Sequence, residues 1–439
     1  MSKVYKRIVL SLFAAAIGLN LGAQTEGAHN SYSPYSIFGL GDIYTQGSAY
    51  NKSMGGVGIA LRNNRYINYL NPAAITARDT LSFMADVGFS LQNKAYYQGD
   101  RKSANNNFNI SNIAFTVPVY GKTTFIMGLT PYSDVGYDYT SFMGGETLPQ
   151  TGYISRAAKG EGGVYQLFTG LGFNLGKNLS VGVQGNYYFG KIDKDYIYTF
   201  ESTSTNSIYS GYDIQLHALT GKLGVQYEKR IGHGLTLTAG ITHRLKTGLR
   251  GTIRDYKFSS LSSVTDTLRY SIDTLSSGRG IDLAGETGIG LSLRRGDKWL
   301  FEVDYTFSDW SKTGYAGAVG FANRNDISAF TTTKAYSLRA GFEYTPNRND
   351  IRYYFRRCTY RAGAYYDKAY YKLNGSAVNS YGVTFGLTLP VFRWHNGLTI
   401  GVDLGQRGKI TNTLIKERYA SISIGFNIHD IWFQKPKYE

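Results

Sequence analysis

Two carboxylates, Glu302 and Asp304, stand two positions apart in a segment where apolar and polar residues alternate. In an extended strand they project on one face, and paired carboxyl groups can serve as general acid and general base. The alternative is a structural role, in which buried charges pair across strands. We favour the structural role, because no histidine or nucleophile clusters with this pair in the sequence.

Further charged residues lie out of phase with the apolar positions of their segments. A lysine or arginine facing lipid at mid-depth costs about 2–4 kcal/mol, so such residues are expected on the inner side of a closed sheet. We therefore predict a lumenal charge network that packs the interior. Its members are Glu286, Glu302, Asp304, Arg339, Glu343, Arg361 and Asp403, with Asp86 and Asp367 in the same phase.

Other catalytic or metal chemistry has little support in the sequence. The six histidines show no metal-ligand spacing, which argues against a zinc site. His217, His243 and His429 could join a Ser/His/Asp set by position only, so a barrel lipase or protease is a weak alternative. The lone Cys358 cannot form an internal disulfide. We predict no enzyme activity and no catalytic, cofactor or metal site.

A glycine-rich run, Met54 to Leu61, precedes the alternating segments. A phosphate-binding loop would need Gly-Lys-Ser/Thr between a strand and a helix, and neither the motif nor that context is present. Glycine also lets a backbone pack closely in a crowded interior. We predict that residues 24–79 form a hatch, or plug, inside the domain that follows.

The elements that position these residues read as strands. The chain has 439 residues with 53 Gly and 38 Tyr, a composition that disfavours long helices and favours sheet. The clearest alternation runs from Tyr381 to Val391. In all, fourteen runs alternate, near 80–92, 108–120, 123–133, 163–175, 179–195, 213–229, 234–249, 281–294, 298–309, 334–345, 357–369, 381–391, 398–404 and 420–428.

Run length and spacing separate a membrane barrel from a soluble sandwich. Many runs exceed the roughly 5–6 residues of a soluble strand and reach the roughly 9–11 of a transmembrane strand. Short turns alternate with long polar segments, predicted as outer loops near 93–107, 134–162, 196–212, 250–280, 310–333, 370–380 and 406–417. We predict an all-β fold, an antiparallel transmembrane β-barrel of about 14 strands with an N-terminal hatch in the lumen.

Aromatic residues recur where these runs end, as in the interfacial girdles of membrane barrels. We expect the rings to sit at the two membrane–water boundaries. They are Tyr96, Tyr97, Tyr132, Tyr187, Tyr188, Trp299, Trp310, Tyr353, Tyr354, Tyr370, Tyr371, Trp394, Trp432 and Phe433.

The first residues read as an export signal. Lys3, Lys6 and Arg7 precede an apolar stretch from Ile8 to Leu21, shorter than the roughly 20 residues of a membrane span. A single anchoring helix is the alternative. We predict a signal peptide over 1–23, cleaved near Ala23 or Gln24, then the hatch over 24–79, the barrel over 80–433 and a periplasmic tail over 434–439. The expected location is the outer membrane of a Gram-negative bacterium.

The net charge is +16 and falls to +13 once the signal is removed. No run of Lys and Arg exceeds two residues, so nucleic acid is not an expected partner. Basic groups at the rim are expected to meet lipopolysaccharide phosphates. The expected partners are outer-membrane lipid and lipopolysaccharide.

The hatch region resembles the FadL-type outer-membrane transporters of long-chain fatty acids and other hydrophobic compounds. The resemblance rests on the run from Met54 to Leu61 followed by Asn71-Pro72-Ala73, and on Ile113 to Tyr137 with its Val117-Pro118. It implies a monomeric 14-stranded barrel closed by a hatch, with Gly55, Gly56, Gly58, Asn71, Pro72 and Ala73 shaping the gate. For these residues, tight packing is the alternative role.

The function implied by this resemblance is passive uptake of hydrophobic, fatty-acid-like small molecules. The later strands share only the strand pattern, and the chain continues past Trp432-Phe433 to Glu439 rather than ending on an aromatic residue. The alternative is an outer-membrane binding or assembly protein, such as a secretion-system shuttle or scaffold subunit that grips a protein partner. A branch of the same family serves as such a carrier.

Overall fold

The structure, a computed structural model, describes residues 32–79, 82–120, 123–144, 153–201, 207–261, 264–265, 269–275, 280–321, 330–391, 396–411 and 414–431. The predicted signal peptide, its cleavage site, the first part of the predicted hatch and the predicted tail lie outside these residues. So do Trp394, Trp432 and Phe433.

The described residues form fourteen barrel strands in chain order. They are β1 (Ser82–Gln98), β2 (Arg101–Tyr120), β3 (Thr123–Gly144), β4 (Tyr153–Asn174), β5 (Leu179–Phe200), β6 (Ser207–Gly232), β7 (Leu235–Arg244, resuming at Arg250–Leu261), β8 (Arg269–Leu275, resuming at Glu286–Arg295), β9 (Trp299–Asp309), β10 (Lys334–Tyr344), β11 (Thr359–Leu373), β12 (Ser376–Pro390), β13 (Gly397–Arg407) and β14 (Lys416–Ile431).

Several short elements accompany the barrel. Single helical turns are Pro34–Ile37, Ala49–Lys52, Ala74–Ala77, Tyr315–Gly317 and Tyr354–Arg357. Short strands are Asp42–Ile43, Thr247–Gly248, Val264–Thr265, Asp282–Leu283 and Phe330–Thr332. In the described part of the chain no helix is long and apolar enough to cross a membrane.

The sheet closes on itself, since β1 pairs with β14 from Ser82↔Ile431 to Tyr97↔Lys416. Every neighbouring pair of barrel strands is antiparallel. Closure removes the free strand edges that would otherwise leave backbone groups unpaired in lipid. The predicted antiparallel barrel of 14 strands is confirmed.

Side chains alternate between lipid and lumen as the period of two requires. On β11, Tyr360 is exposed on the outer wall while Arg361 is buried inside. Large apolar side chains such as Leu291, Val225 and Phe385 are exposed on the outer faces of their strands. This apolar wall around a polar interior is the signature of a transmembrane β-barrel.

Most segments predicted as long outer loops are instead continuations of the strands, so that prediction was wrong. Asn93–Tyr97 of β1 pairs with 102–106 of β2, and residues 134–144 of β3 pair with 153–163 of β4. In these segments backbone pairing continues although polar residues interrupt the apolar ones. Hydropathy alternation disappears there, although the ladder of hydrogen bonds does not.

One seam of the barrel is only partly paired. Strands β2 and β3 pair over Ile113–Tyr120 and Thr123–Leu129 and then separate. In the upper part of the seam, Asp42–Ile43 pairs with Ser133 and Asp134 of β3. The N-terminal segment therefore takes up backbone bonds that β2 leaves open.

The chain from Tyr32 to Asp79, here called the hatch segment, lies in the lumen. It bonds to strands around the circumference: Ser33 to Glu417 on β14, Gly55 to Thr384 on β12 and Arg78 to Thr124 on β3. Three buried apolar clusters form where it meets the wall. The largest lies toward the outer end of the lumen.

Candidate functional site in the barrel lumen

The glycine-rich run of the hatch segment is held by the two carboxylates on β9. The backbone N–H groups of Gly58 and Ile59 donate to Oδ2 of Asp304 at 2.7 and 2.9 Å. The N–H of Ala60 donates to Oε1 of Glu302 at 2.8 Å. Both carboxylates are buried: Glu302 is 0% exposed and Asp304 is 2% exposed. Their described partners are hatch amides rather than cations of other strands, which differs from the expected cross-strand ion pairs.

The predicted gate glycines lie at points of close backbone contact. Gly55 has φ +72°, and a Cβ there would come within 2.6 Å of the Ala340 carbonyl oxygen. Gly363 on β11 has no room for a Cβ, which would lie 2.3 Å from the Gly55 nitrogen. Gly56 lies against Arg339, and a Cβ at Gly58 would meet Leu70. Missing side chains on both surfaces let the hatch lie directly against the wall.

The Asn-Pro-Ala motif packs against β5 and β6. Nδ2 of Asn71 donates to the Ile59 carbonyl at 2.7 Å, while its Oδ1 accepts from the Ala73 N–H at 3.0 Å. A Cβ on Gly182 would lie 2.3 Å from the Pro72 carbonyl carbon. Asn71 therefore ties the motif to the glycine-rich run.

The remaining predicted charges form separate contacts. Arg361 Nε donates to Glu343 Oε2 at 2.9 Å, and Arg339 pairs with Asp367 at 2.8 Å. Arg244 lies 3.9 Å from Glu286, a loose contact. Asp403 accepts from the Tyr365 hydroxyl at 2.9 Å.

Asp86 accepts a hydrogen bond from Asn112 of β2. The predicted lumenal set is thus distributed around the wall and is not gathered into one catalytic centre. In the described residues no group of His, Cys, Asp or Glu could hold a metal ion.

An ion-pair cluster near the outer end was missed in the sequence. Asp42 lies 2.7 Å from Arg407 and 3.5 Å from Lys94, and Arg407 is 3.8 Å from Glu417. Ser33 donates to Glu417 at 2.5 Å. Lys94, Arg407 and Glu417 all fall in segments interpreted as loops. Continuing the period of two past the last apolar residue would have placed them inside.

A buried lysine ties the outer end together. Lys194 is fully buried, and its Nζ donates to the carbonyl oxygens of Ile37 at 2.6 Å and Gly320 at 2.8 Å. The ammonium group thereby joins the hatch segment to the chain after β9. An unpaired ammonium in this place would be costly. Strand β5, which carries Lys194, the hatch segment and the chain after β9 therefore hold each other in position.

Aromatic and aliphatic side chains surround this lysine in a packed outer seal. Several rings predicted as membrane girdles lie here, buried in the lumen, so that part of the girdle prediction was wrong. Their positions in the alternation of the strands direct these rings into the lumen. There they pack against apolar residues of the hatch segment such as Phe38 and Leu40. The seal includes Phe38, Tyr132, Tyr188, Trp310, Tyr315, Phe321, Phe330, Tyr370 and Tyr371.

Between the seal and the glycine-rich run lies a cavity of about 420 Å³. Burial lowers the pKa of Lys52 to about 8, against the opposing pull of the Asp403 and Asp86 carboxylates. The charged side chains that line the cavity include Asp42, Lys52, Lys94, Lys222, Arg244, Arg339, Asp403 and Arg407. Aromatic and aliphatic side chains such as Ile59, Leu70 and Trp310 stand between these charged groups in the lining.

The closed barrel defines the class of fold: a 14-stranded antiparallel β-barrel whose lumen holds a segment of its own chain. Solved structures share this fold. The toluene transporter TbuX of Ralstonia pickettii superimposes with a TM-score of 0.55 at 13% identity, covering 90% of this chain and 98% of its own. The toluene transporter TodX of P. putida superimposes with a TM-score of 0.56 at 12% identity, covering 91% of this chain and 100% of its own.

The monoaromatic hydrocarbon channel CymD gives a TM-score of 0.54 at 13% identity, covering 91% of this chain and 100% of its own. The expected FadL-type resemblance is confirmed in the fold. The chain belongs to the BamG family, whose model matches residues 4–439. A search of curated proteins finds no match.

Proposed function

We propose that this protein is a sealed outer-membrane barrel that binds a protein partner, as a scaffold or assembly subunit. The observation that carries the proposal is what occupies and lines the lumen. The hatch segment runs through it, and the cavity that remains holds charged side chains of both signs beside aromatic and aliphatic ones. An apolar solute would take water away from these charged groups without replacing their hydrogen bonds, and that desolvation opposes its binding.

The outer seal supports the same proposal. A solute entering from outside would have to displace the packed rings and separate Lys194 from the carbonyls of Ile37 and Gly320. Lower down it would meet Asp304 bound to two hatch amides. Both barriers consist of buried hydrogen bonds inside tight packing, which favours a fixed plug over one that opens often.

The test is the composition of the natural complex. The protein is extracted from its own membrane in mild detergent, and its mass is measured by native mass spectrometry, with lipid extraction of the same sample. We expect a stoichiometric complex with one defined protein and no retained hydrophobic small molecule. A monomer loaded with such a molecule would overturn the proposal. A FadL-type transporter purified in parallel controls for ligand loss.

Passive uptake of hydrophobic, fatty-acid-like small molecules through a hatch-gated barrel is the second candidate. The fold shared with TodX and CymD, described as a toluene transporter and a monoaromatic hydrocarbon channel, favours it. On this hypothesis Gly55, Gly56, Gly58, Asn71, Pro72 and Ala73 shape the gate. Deleting the gene should then slow uptake of labelled toluene or fatty acid, and unchanged uptake would exclude it.

Either function places the mature barrel in the outer membrane, after removal of a signal peptide near Ala23 or Gln24. Basic rim residues would then meet lipopolysaccharide phosphates. N-terminal sequencing of the protein from outer-membrane fractions tests the cleavage site. Recovery with an intact Met1 would contradict it.

A further inference from the structure

The turn from Thr345 to Cys358, which joins β10 to β11, differs from the other connections at the short-turn end of the barrel. At this end, taken as periplasmic, the neighbouring connections span only the few residues 175–178, 233–234 and 296–298. The longer turn is nevertheless well ordered by its own bonds. Asp350 Oδ1 accepts from the N–H groups of Arg352 and Tyr353 at 2.9 and 2.8 Å.

This turn presents large apolar side chains on that fixed backbone. Ile351 is 97% exposed and Phe355 is 70% exposed. Arg352 and Arg356 both lie over the Tyr353 ring, with guanidinium-to-centroid distances of 5.2 and 5.0 Å. Arg357 lies 5.1 Å from the Tyr354 ring centroid. Apolar groups and guanidinium groups are therefore displayed side by side.

The turn folds toward the outer wall of the barrel. Tyr360, on the lipid-facing side of β11, donates its hydroxyl to the Phe355 carbonyl at 3.1 Å. Tyr354 donates to the Pro390 carbonyl at the end of β12, at 3.2 Å. Tyr360 pairs with Tyr344 of β10, and both rings are exposed. The exposed turn is thus continuous with the apolar wall at its lower boundary.

We propose that this turn binds phospholipids of the periplasmic leaflet. Ile351 and Phe355 enter the boundary between headgroups and acyl chains, and the arginines bind headgroup phosphates. The planar guanidinium group suits bidentate contacts with phosphate oxygens. A basic residue near an anionic lipid surface adds about 1 kcal/mol of attraction. Four arginines against the single Asp350 leave the turn strongly positive.

Lipid is the occupant that the position favours, because the contacts of Tyr360 and Tyr354 hold the turn beside the wall. The exposed apolar groups then extend a surface that lipid already covers. A soluble protein partner at this turn would instead leave Ile351 and Phe355 in water when the barrel stands alone in a bilayer. That difference can be measured.

The experiment places a dye on the turn of the full chain. In a Cys358→Ser background, Phe355→Cys is labelled with a nitrobenzoxadiazole dye, and the barrel is reconstituted in phosphatidylcholine–phosphatidylglycerol vesicles carrying doxyl lipids. Lys177→Cys, exposed on the β4–β5 turn, is the matched control. We expect at least threefold stronger doxyl quenching at position 355 than at 177. Equal quenching, with free access of iodide at 355, overturns the proposal.

The arginines are tested in the same vesicles. Arg352→Gln, Arg356→Gln and Arg357→Gln together should at least halve the quenching at position 355. The control is Lys229→Gln with Arg230→Gln, an exposed basic pair at the end of β6. Heat-modifiable gel mobility reports correct folding of each variant. Quenching that survives in the folded triple variant shows that phosphate binding plays no part and overturns that half of the proposal.

Discussion

Asp304 on β9 accepts two hydrogen bonds from consecutive amides of the hatch segment, those of Gly58 and Ile59, at 2.7 and 2.9 Å. Glu302, on the same face, accepts from the next amide, Ala60, at 2.8 Å. Two side chains of one strand therefore fix three successive backbone groups of the plug. These bonds lie in a buried site, where a hydrogen bond is electrostatically stronger than in water.

Replacing Asp304 should loosen the hatch. Asp304→Leu removes the acceptor and leaves two buried N–H groups unsatisfied, at a cost of about 2–5 kcal/mol. We expect trypsin to cleave the folded barrel within the hatch segment, at Arg62 or Arg65, at least tenfold faster than in the natural protein. Mass spectrometry of the fragments gives the sites.

Asp304→Asn is the matched control, because its amide oxygen can still accept from Gly58 and Ile59. Its cleavage rate should stay near that of the natural protein. If Asn and Leu behave alike, the two hydrogen bonds do not hold the hatch.

Gly363→Ala should destabilise the seat of the hatch. The added Cβ would lie 2.3 Å from the Gly55 nitrogen, so the backbone must move, at a cost of about 1–3 kcal/mol. Gly185→Ala on β5 is the control, since its nearest neighbour would be 3.9 Å away. Urea unfolding followed by tryptophan fluorescence compares them, and equal midpoints would contradict the close contact.

Arg361→Met should be among the most destabilising changes in the wall. Arg361 is buried against Glu343, donates to Thr388 at 2.6 Å and lies 4.0 Å from the Tyr50 ring centroid. Its loss leaves a buried carboxylate unpaired, at about 3–5 kcal/mol. Arg356→Met, which breaks an exposed pair with Asp350, should cost at most about 1 kcal/mol. Similar unfolding midpoints for the two variants would refute this.

Lys52 should make stability depend on pH in the alkaline range. Burial lowers its pKa to about 8, whereas an unfolded lysine titrates near 10.4. The unfolded chain therefore binds more protons between these values, and stability rises with pH across that window. Below about pH 8, Lys52→Met should be more stable than the natural protein, by about 3 kcal/mol, and the difference should shrink toward pH 10.

Unfolding midpoints at pH 7 and pH 9.5 measure this difference. Lys177→Met, on the exposed β4–β5 turn, is the control and should show no such pH dependence. A Lys52→Met advantage that is the same at both pH values would rule out the buried ammonium as its cause.

Opening the outer seal tests whether it closes the lumen. Phe38 and Trp310 both pack in the seal, so Phe38→Ala with Trp310→Ala should leave a void and raise ion conductance in planar bilayers severalfold. Phe142→Ala, an exposed side chain near the outer end of β3, is the control. Conductance that stays at the natural level would show that the plug below the seal suffices.

The sequence alone determined the strands and their number. Alternation along segments such as Tyr381 to Val391 depends on lipid on one side and the lumen on the other, and each strand carries that signal in its own residues. The same alternation placed Arg361, Arg339 and Asp403 on the lumenal side of their strands. The resemblance of Met54 to Ala73 to FadL-type hatches predicted a plug before the first strand.

Only the tertiary structure decided what the inner residues meet. The sequence placed Glu302 and Asp304 on one face but not opposite the amides of Gly58 to Ala60, since that contact joins segments more than 240 residues apart. It also left Lys94, Arg407 and Glu417 in apparent loops and Trp310 and Tyr370 at the rim. A strand's period states which side a residue faces, whereas its partner depends on barrel closure and on the path of the hatch segment through the lumen.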